Sequence, residues 1–269
     1  MPTRPLTLAL PKGRLLAEIV PLCAAAGLAA AGRLGDDRQL LLDDPESGVR
    51  LLLARPADVW TYVAYGGADL GITGKDVLVE AAEAAGGTGV PGAGIAAPPP
   101  PVVEMVDLGV GACRMSVAGP AAGAAAWPER RRRAGRIRVG TKYPFSARRY
   151  LAGGPAEIEL IPLAGTVELA PLTGLADVIV DLVATGRTLA ANGLVEYERL
   201  FDSTARLIAN EASLRLRDRE LAGLVAALER AAREHRAGYG QAGGSAGWPP
   251  AAGTAAPAVP GGASGGEGR

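Results

Sequence analysis

Histidine is nearly missing from this chain: 269 residues contain one, His235. It falls late in a helical pattern at 218–236, where an exposed position is expected. A lone histidine removes Ser-His-Asp and Cys-His chemistry and any multi-histidine metal site. Cysteine is almost as scarce. Cys23 and Cys113 make neither a disulfide framework nor a metal cluster. Cys23 sits in an apolar helical pattern and is expected in the core. A reduced, cytoplasmic protein is the simplest reading. Aromatics are only 4% of residues, which disfavours a base-stacking surface. Basic and acidic residues number 28 each, so net charge is zero. A general nucleic-acid binder or an acidic-membrane binder would need a basic excess. No signal peptide is apparent at MPTRPLTLALPKGR. Residues 84–103 carry no charge, but their prolines and glycines are unsuited to a membrane-spanning helix.

The chain is long enough for a large core or two compact lobes. A short strand at Leu6–Leu10 runs through Pro11-Lys12-Gly13 into a helix ended by Gly27. A hairpin-like LLLDD-PESG-VRLLLA follows, then a helix opened by Pro56, the strand ADLGITG and a helix from Lys75. This alternation predicts an α/β fold with parallel pairing. Residues 86–101 are a Gly/Pro-rich insert, expected as a mobile surface loop. A second unit is expected from Val102, with strands at 113–118, 137–141, 157–163 and 177–183 and helices near 144–152 and 166–172. Strand-like pieces at 194–201 and 205–211 are expected to return to the first unit. The predicted lobes are therefore 1–101 plus 192–217, and 102–191, with a cleft between them suited to a polar ligand. A helix at 218–236 and a disordered tail at 237–269 complete the reading.

The richest stretch is DVIVDLVATGRTL, Asp177 to Leu189. A buried strand ends in a donor-rich turn at a helix start. Backbone N–H groups there are unsatisfied and carry partial positive charge. Gly186 lets a ligand approach the backbone, and the Thr185 and Thr188 hydroxyls add donors. Asp177 and Asp181 share one strand face by their spacing. Carboxylates beside such a turn suggest sugar hydroxyls or a magnesium-bound polyphosphate. An ordinary buried strand followed by a helix cap is the plainer reading. Leu10-Pro11-Lys12-Gly13-Arg14 joins a strand end, a glycine and two cations that could clamp phosphates. It lacks the spacing of a GxxxxGK[ST] loop, and a helix start with solvated charges is its plainer reading. Gly74-Lys75-Asp76 is another strand–glycine–helix junction, weak by itself. Arg38 and Arg55 lie near strand ends, where cleft residues of α/β folds often sit, though most arginines are simply surface. The basic run Pro128–Arg133 has no interleaved aromatics and reads as a solvated loop.

In order, these pieces resemble one family, the catalytic subunit of ATP phosphoribosyltransferase. The signature is filled by Glu168-LAPLT-Gly174-Leu175-Ala176-DVIV-Asp181-LVA-Thr185-Gly186-Arg187-Thr188-Leu189. LALPKGRL, ADVWTYVAYGGADLGITGKDVL, TKYPFSARRY and ANGL agree as well. The resemblance spans residues 6–217. It implies a type II periplasmic-binding-protein-like fold, two-lobed and α/β, with a hinged cleft. It implies attack by N1 of ATP on C1 of phosphoribosyl pyrophosphate (PRPP), which is held as its magnesium complex. Thr185, Gly186, Arg187 and Thr188 would hold the 5-phosphate. Asp181, Asp177 and Glu168 would serve the ribose side. Lys12, Arg38 and Arg55 would stabilise the leaving group; Lys12, Gly13, Arg14, Gly74, Lys75 and Asp76 would bind ATP. Asp37 stands before Arg38, where the family pattern has serine. Too few residues follow Arg217 for a compact regulatory domain. The resemblance is therefore to the short form, which works in a hetero-oligomer with a regulatory subunit resembling histidyl-tRNA synthetase. A solute-binding protein would share the architecture but would need neither the phosphate turn nor the acids. A pure regulatory protein would not fill the signature.

Overall fold

A computed structural model describes residues 4–34, 39–86 and 102–241. Arg38, most of the 86–101 insert and the chain beyond 241 lie outside these residues.

Two mixed sheets organise the molecule. The first contains β1 (Leu6–Pro11), β2 (Leu41–Asp44), β3 (Val49–Ala54), β4 (Leu70–Gly74), β5 (Val102–Asp107) and β11 (Ala205–Asn210), in the order β2-β3-β1-β4-β11-β5. Both β3 and β4 run parallel to β1, whereas β11 runs antiparallel to β4 and to β5. β1 and β4 are buried along their whole length, as continuous apolar runs between helical layers require. The second sheet contains β6 (Cys113–Pro120), β7 (Gly135–Thr141), β8 (Ala156–Pro162), β9 (Val178–Val183) and β10 (Leu194–Ser203), in the order β10-β6-β9-β7-β8. β7 is parallel to β8 and β9, and β6 is antiparallel to β9 and β10.

Helices α1 (Arg14–Ala25), α2 (Pro56–Ala64), α3 (Lys75–Gly86), α8 (Glu211–Leu216) and α9 (Asp218–Gln241) belong with the first sheet. α4 (Trp127–Arg132), α5 (Pro144–Leu151), α6 (Leu169–Leu172) and α7 (Arg187–Ala191) belong with the second. Pro56 and Pro144 open their helices at positions where a missing N–H costs nothing. α9 packs Leu221, Leu228, Ala231 and Ala232 into the core that holds β1, β3, β4 and α1. The second sheet has separate cores on its two faces, one around Met115, Val117, Ile137 and Val180 and one around Ile179, Val183 and Leu189. Among the described residues no helix is long and apolar enough to cross a membrane.

The expected strands appear, but the chain crosses between sheets at other points. Residues 102–107 are expected in the second unit, yet β5 hydrogen-bonds to β11 in the first sheet. Residues 194–201 are expected in the first unit, yet β10 pairs with β6 along its length. The crossings are 108–112 and Thr204. The Gly/Pro stretch ending at 101 marks a connection, whereas sheet membership is set by partners distant in sequence. The helix expected at 166–172 is reduced to Leu169–Leu172, preceded by Thr166 in a left-handed conformation, φ 48°. The basic run expected as a solvated loop forms α4. Its Arg130 pairs with Asp177 and its Arg131 with Glu198. The last helix continues past 236 to Gln241.

Candidate active site

A cleft of about 710 Å³ opens where the two sheets face each other. From the first sheet come Lys12, Arg14, Arg55, Gly74 and Asp76; from the second come Cys113, Lys142, Tyr143 and Leu182. The first group sits at the ends of β1, β3 and β4, where each strand passes into its helix. This is where parallel strands deliver polar side chains and free amides. Gly13 adopts φ 85° as it turns β1 into α1, a conformation that glycine reaches without strain. Lys12 is anchored through its amide to the Ala54 carbonyl at 2.8 Å. Arg14 lies within 3.4 Å of Glu18, whose other oxygen accepts the Gly111 amide at 2.8 Å.

Asp76 is buried and locked to the chain crossing. Ser203 Oγ donates to its Oδ1 at 2.7 Å and accepts the Asp76 amide at 3.0 Å. Burial raises its pKa against the opposing Ser203 bond and the Lys142 charge. Gly74 leaves room for this carboxylate: a Cβ there would stand 2.1 Å from Asp76 Oδ1. Lys75 turns elsewhere, its Nζ 2.5 Å from Glu104 on β5.

β9 leads from this cleft to the threonine-glycine turn. Asp181 is pushed up to about 6, first by burial; the Leu182 amide and Lys142 oppose, while Glu168 and Asp76 add to the rise. Asp181, Glu168, Asp76 and Lys142 therefore share one electrostatic neighbourhood. Burial also raises Tyr143, with Asp76 and Asp181 adding to it, and raises the Cys113 thiol to about 11. Cys113 is thus a neutral wall rather than a nucleophile. At the end of β9, Gly186 has φ 76° and caps α7. Thr185 Oγ1 accepts from the Arg187 amide at 3.4 Å, and Thr185 and Thr188 are exposed. Arg187 Nε also donates to Thr185 Oγ1, at 3.3 Å.

Asp177 does not join this group. It precedes β9 at the opposite end, where it accepts the Arg138 amide at 2.8 Å and lies 3.1 Å from Arg130. Burial alone would raise it, but the Arg138 amide and the Arg130 and Arg138 side chains hold it below the usual range. Lys142 is the cleft residue that spacing and turn chemistry miss. Its cue is a cation placed between a strand and a proline-opened helix, the same context as Arg55.

Across the cleft, α3 fastens to α5. Glu80 Oε1 accepts the Phe145 amide at 3.0 Å and Oε2 accepts the Ser146 amide at 2.7 Å. Glu83 pairs with Arg149 one turn further on. The carboxylate satisfies two of the open donors at the α5 start.

The family model for HisG, ATP phosphoribosyltransferase, matches residues 55–230. A protein named ATP phosphoribosyltransferase from Moorella thermoacetica is 48% identical over 237 residues, covering 86% of this chain and 95% of its own length. One of the same name from Burkholderia cenocepacia is 44% identical over 231 residues, covering 86% and 98%. Among solved structures, the ATP phosphoribosyl transferase (HisG:HisZ) complex from Thermotoga maritima aligns with TM-score 0.67 at 28% identity, over 85% of this chain and 99% of that one. The periplasmic aliphatic sulphonate binding protein SsuA from Escherichia coli aligns with TM-score 0.53 at 15% identity, over 88% and 75%. The last likeness concerns the two-lobed fold alone.

Proposed function

Because this chain belongs to the ATP phosphoribosyltransferase family, we propose that the cleft and the turn ending β9 are two halves of one phosphoribosyl-transfer site. The enzyme moves the phosphoribosyl group of PRPP to N1 of the adenine of ATP and releases pyrophosphate, the first step of histidine biosynthesis. One observation supports this reading: β9 carries Asp181 into the same electrostatic neighbourhood as Lys142, Asp76 and Glu168 and then ends in a glycine turn whose two threonines are exposed.

In this reading Thr185, Gly186, Arg187 and Thr188 hold the 5-phosphate, and Asp181 and Glu168 face the ribose. Lys12, Arg14, Arg55 and Lys142 line the side that takes the triphosphate and the departing pyrophosphate, with Gly74 and Asp76 forming the floor. Lys75 and Asp177 serve structure, through Glu104 and through Arg130 and Arg138. The magnesium ion travels with the pyrophosphate of PRPP as part of the substrate. No direct protein ligand to it is proposed; Asp181 and Glu168 are read as facing the ribose side of that complex. In the reaction, the N1 lone pair forms the new bond to C1. The C1–O bond breaks and its electron pair leaves with pyrophosphate. Adenine N1 needs no base to attack, so cations around the leaving group and fixed positioning of both substrates supply the acceleration.

Like the Thermotoga relative, which is named as a complex, this chain is read as working with a regulatory subunit resembling histidyl-tRNA synthetase, in the cytoplasm. Mass in solution with and without that subunit tests the assembly. The chemistry is tested by mixing protein, ATP, PRPP and magnesium and following near-ultraviolet absorbance of N1-substituted adenine. Thr188→Ala should weaken PRPP binding by about 1–3 kcal/mol, and unchanged affinity would remove the turn from the site.

A further inference from the structure

Arg114, the second residue of β6, lies opposite Val183 of β9. Its Nη1 donates to the Ala184 carbonyl at 3.2 Å. Its Nε is shared between the two Glu196 oxygens at 2.7 and 2.8 Å, and Nη2 makes a further bond to Glu196. Glu196 is held from its other side by Ser116 Oγ at 2.8 Å. Ser116 in turn stands opposite Asp181 in the β6–β9 register. The Arg114 and Glu196 side chains are 17% and 25% exposed, so the pair is largely withdrawn from solvent.

Ala184 is the residue before the turn. Its carbonyl and the Thr185 N–H belong to one planar trans peptide and point in opposite directions. A rigid donor fixed on that carbonyl therefore fixes the direction of the Thr185 amide. From this geometry we propose that Arg114 is a positioning residue for the sugar phosphate, setting the Ala184–Thr185 peptide plane so that the turn's donors stand ready. The inference rests on reading that turn as the phosphate cradle. It does not work through attraction of the phosphate by the guanidinium, because Glu196 neutralises that charge and occupies two of its nitrogens. Lysine could not replace it, lacking a planar fork that reaches two partners at once.

The test removes both members of the pair, Arg114→Met with Glu196→Leu, so that no buried charge is left alone. PRPP with magnesium is titrated calorimetrically. The double variant should bind PRPP about tenfold more weakly, the size of one charge-assisted hydrogen bond, with KM for ATP and the unfolding midpoint near those of the parent. Parent-like PRPP affinity in the double variant overturns the proposal, since Arg114 would then merely neutralise Glu196. Should that variant fail to fold, Arg114→Lys takes its place with the same expected loss, and parent-like affinity there is equally fatal. Thr188→Ala, measured alongside, separates the two levels. Affinity lost in Thr188→Ala but kept in the Arg114 variant sinks this role alone. Affinity kept in Thr188→Ala sinks the cradle reading, and this role with it.

Discussion

Asp181 is a partly buried carboxyl group near other acids, and its ionisation works against the fold. Its folded pKa of about 6 stands above the ordinary 3.8. Its contribution to stability is therefore complete below about pH 4 and is lost as pH rises through 6. Asp181→Asn should be more stable than the parent at pH 8, by at most about 3 kcal/mol, and the difference should vanish near pH 4. Urea melts at the two values check this. A variant no more stable at pH 8 than at pH 4, relative to the parent, refutes it. The same variant should lose transfer activity, as stabilising changes at functional carboxylates commonly do. Spacing alone pairs Asp181 with Asp177, because strand period puts them on one face. It is silent on how far along the strand each lies and on Arg130 and Arg138, which occupy Asp177. The Thr185–Thr188 turn, by contrast, was legible because glycine and hydroxyl residues announce a helix start locally.

α5 begins with a proline and makes no side-chain cap of its own; Glu80 reaches across from α3 to supply one. Glu80→Ala should expose the Phe145 and Ser146 amides, cost about 1–2 kcal/mol of stability, and speed hydrogen exchange at those two amides above all others in α5. Because the bond joins elements of different sheets, the variant should also scatter X-rays as a more extended particle. An unchanged radius of gyration together with unchanged exchange would show that the lobes are held by other contacts. Such a bond between elements far apart in sequence leaves no local trace, and neither does sheet membership. β10 was recognisable as a strand but not its partner, and β5 went unread as a strand altogether. α4 shows the opposite failure. A run of arginines looks like a solvated loop until Asp177 and Glu198 are placed beside it.

Asp69 ties the first lobe together. It is fully buried and accepts from Arg4, Arg217, the Ser213 hydroxyl and the Thr7 amide. One carboxylate thereby joins β1, β4, α8 and the start of α9. Arg217→Ala leaves Asp69 with the more exposed Arg4 and should lower unfolding free energy by about 2–4 kcal/mol, read from urea denaturation. A loss within 0.5 kcal/mol, the ordinary surface value, would show the cluster to be dispensable. The division into two interleaved α/β lobes, with β11 returning to the first, followed from strand–helix alternation and from the family resemblance; the points at which the chain crosses between them did not. That interleaving governs how the protein is born. Among the described residues β11 is the last strand to be synthesised, yet it stands between β4 and β5. A ribosome therefore delivers every strand of the second sheet before the first can be closed. Until residue 210 has emerged, β4 and β5 each offer a raw edge to any passing strand, and the nascent chain is then at its most vulnerable to mispairing.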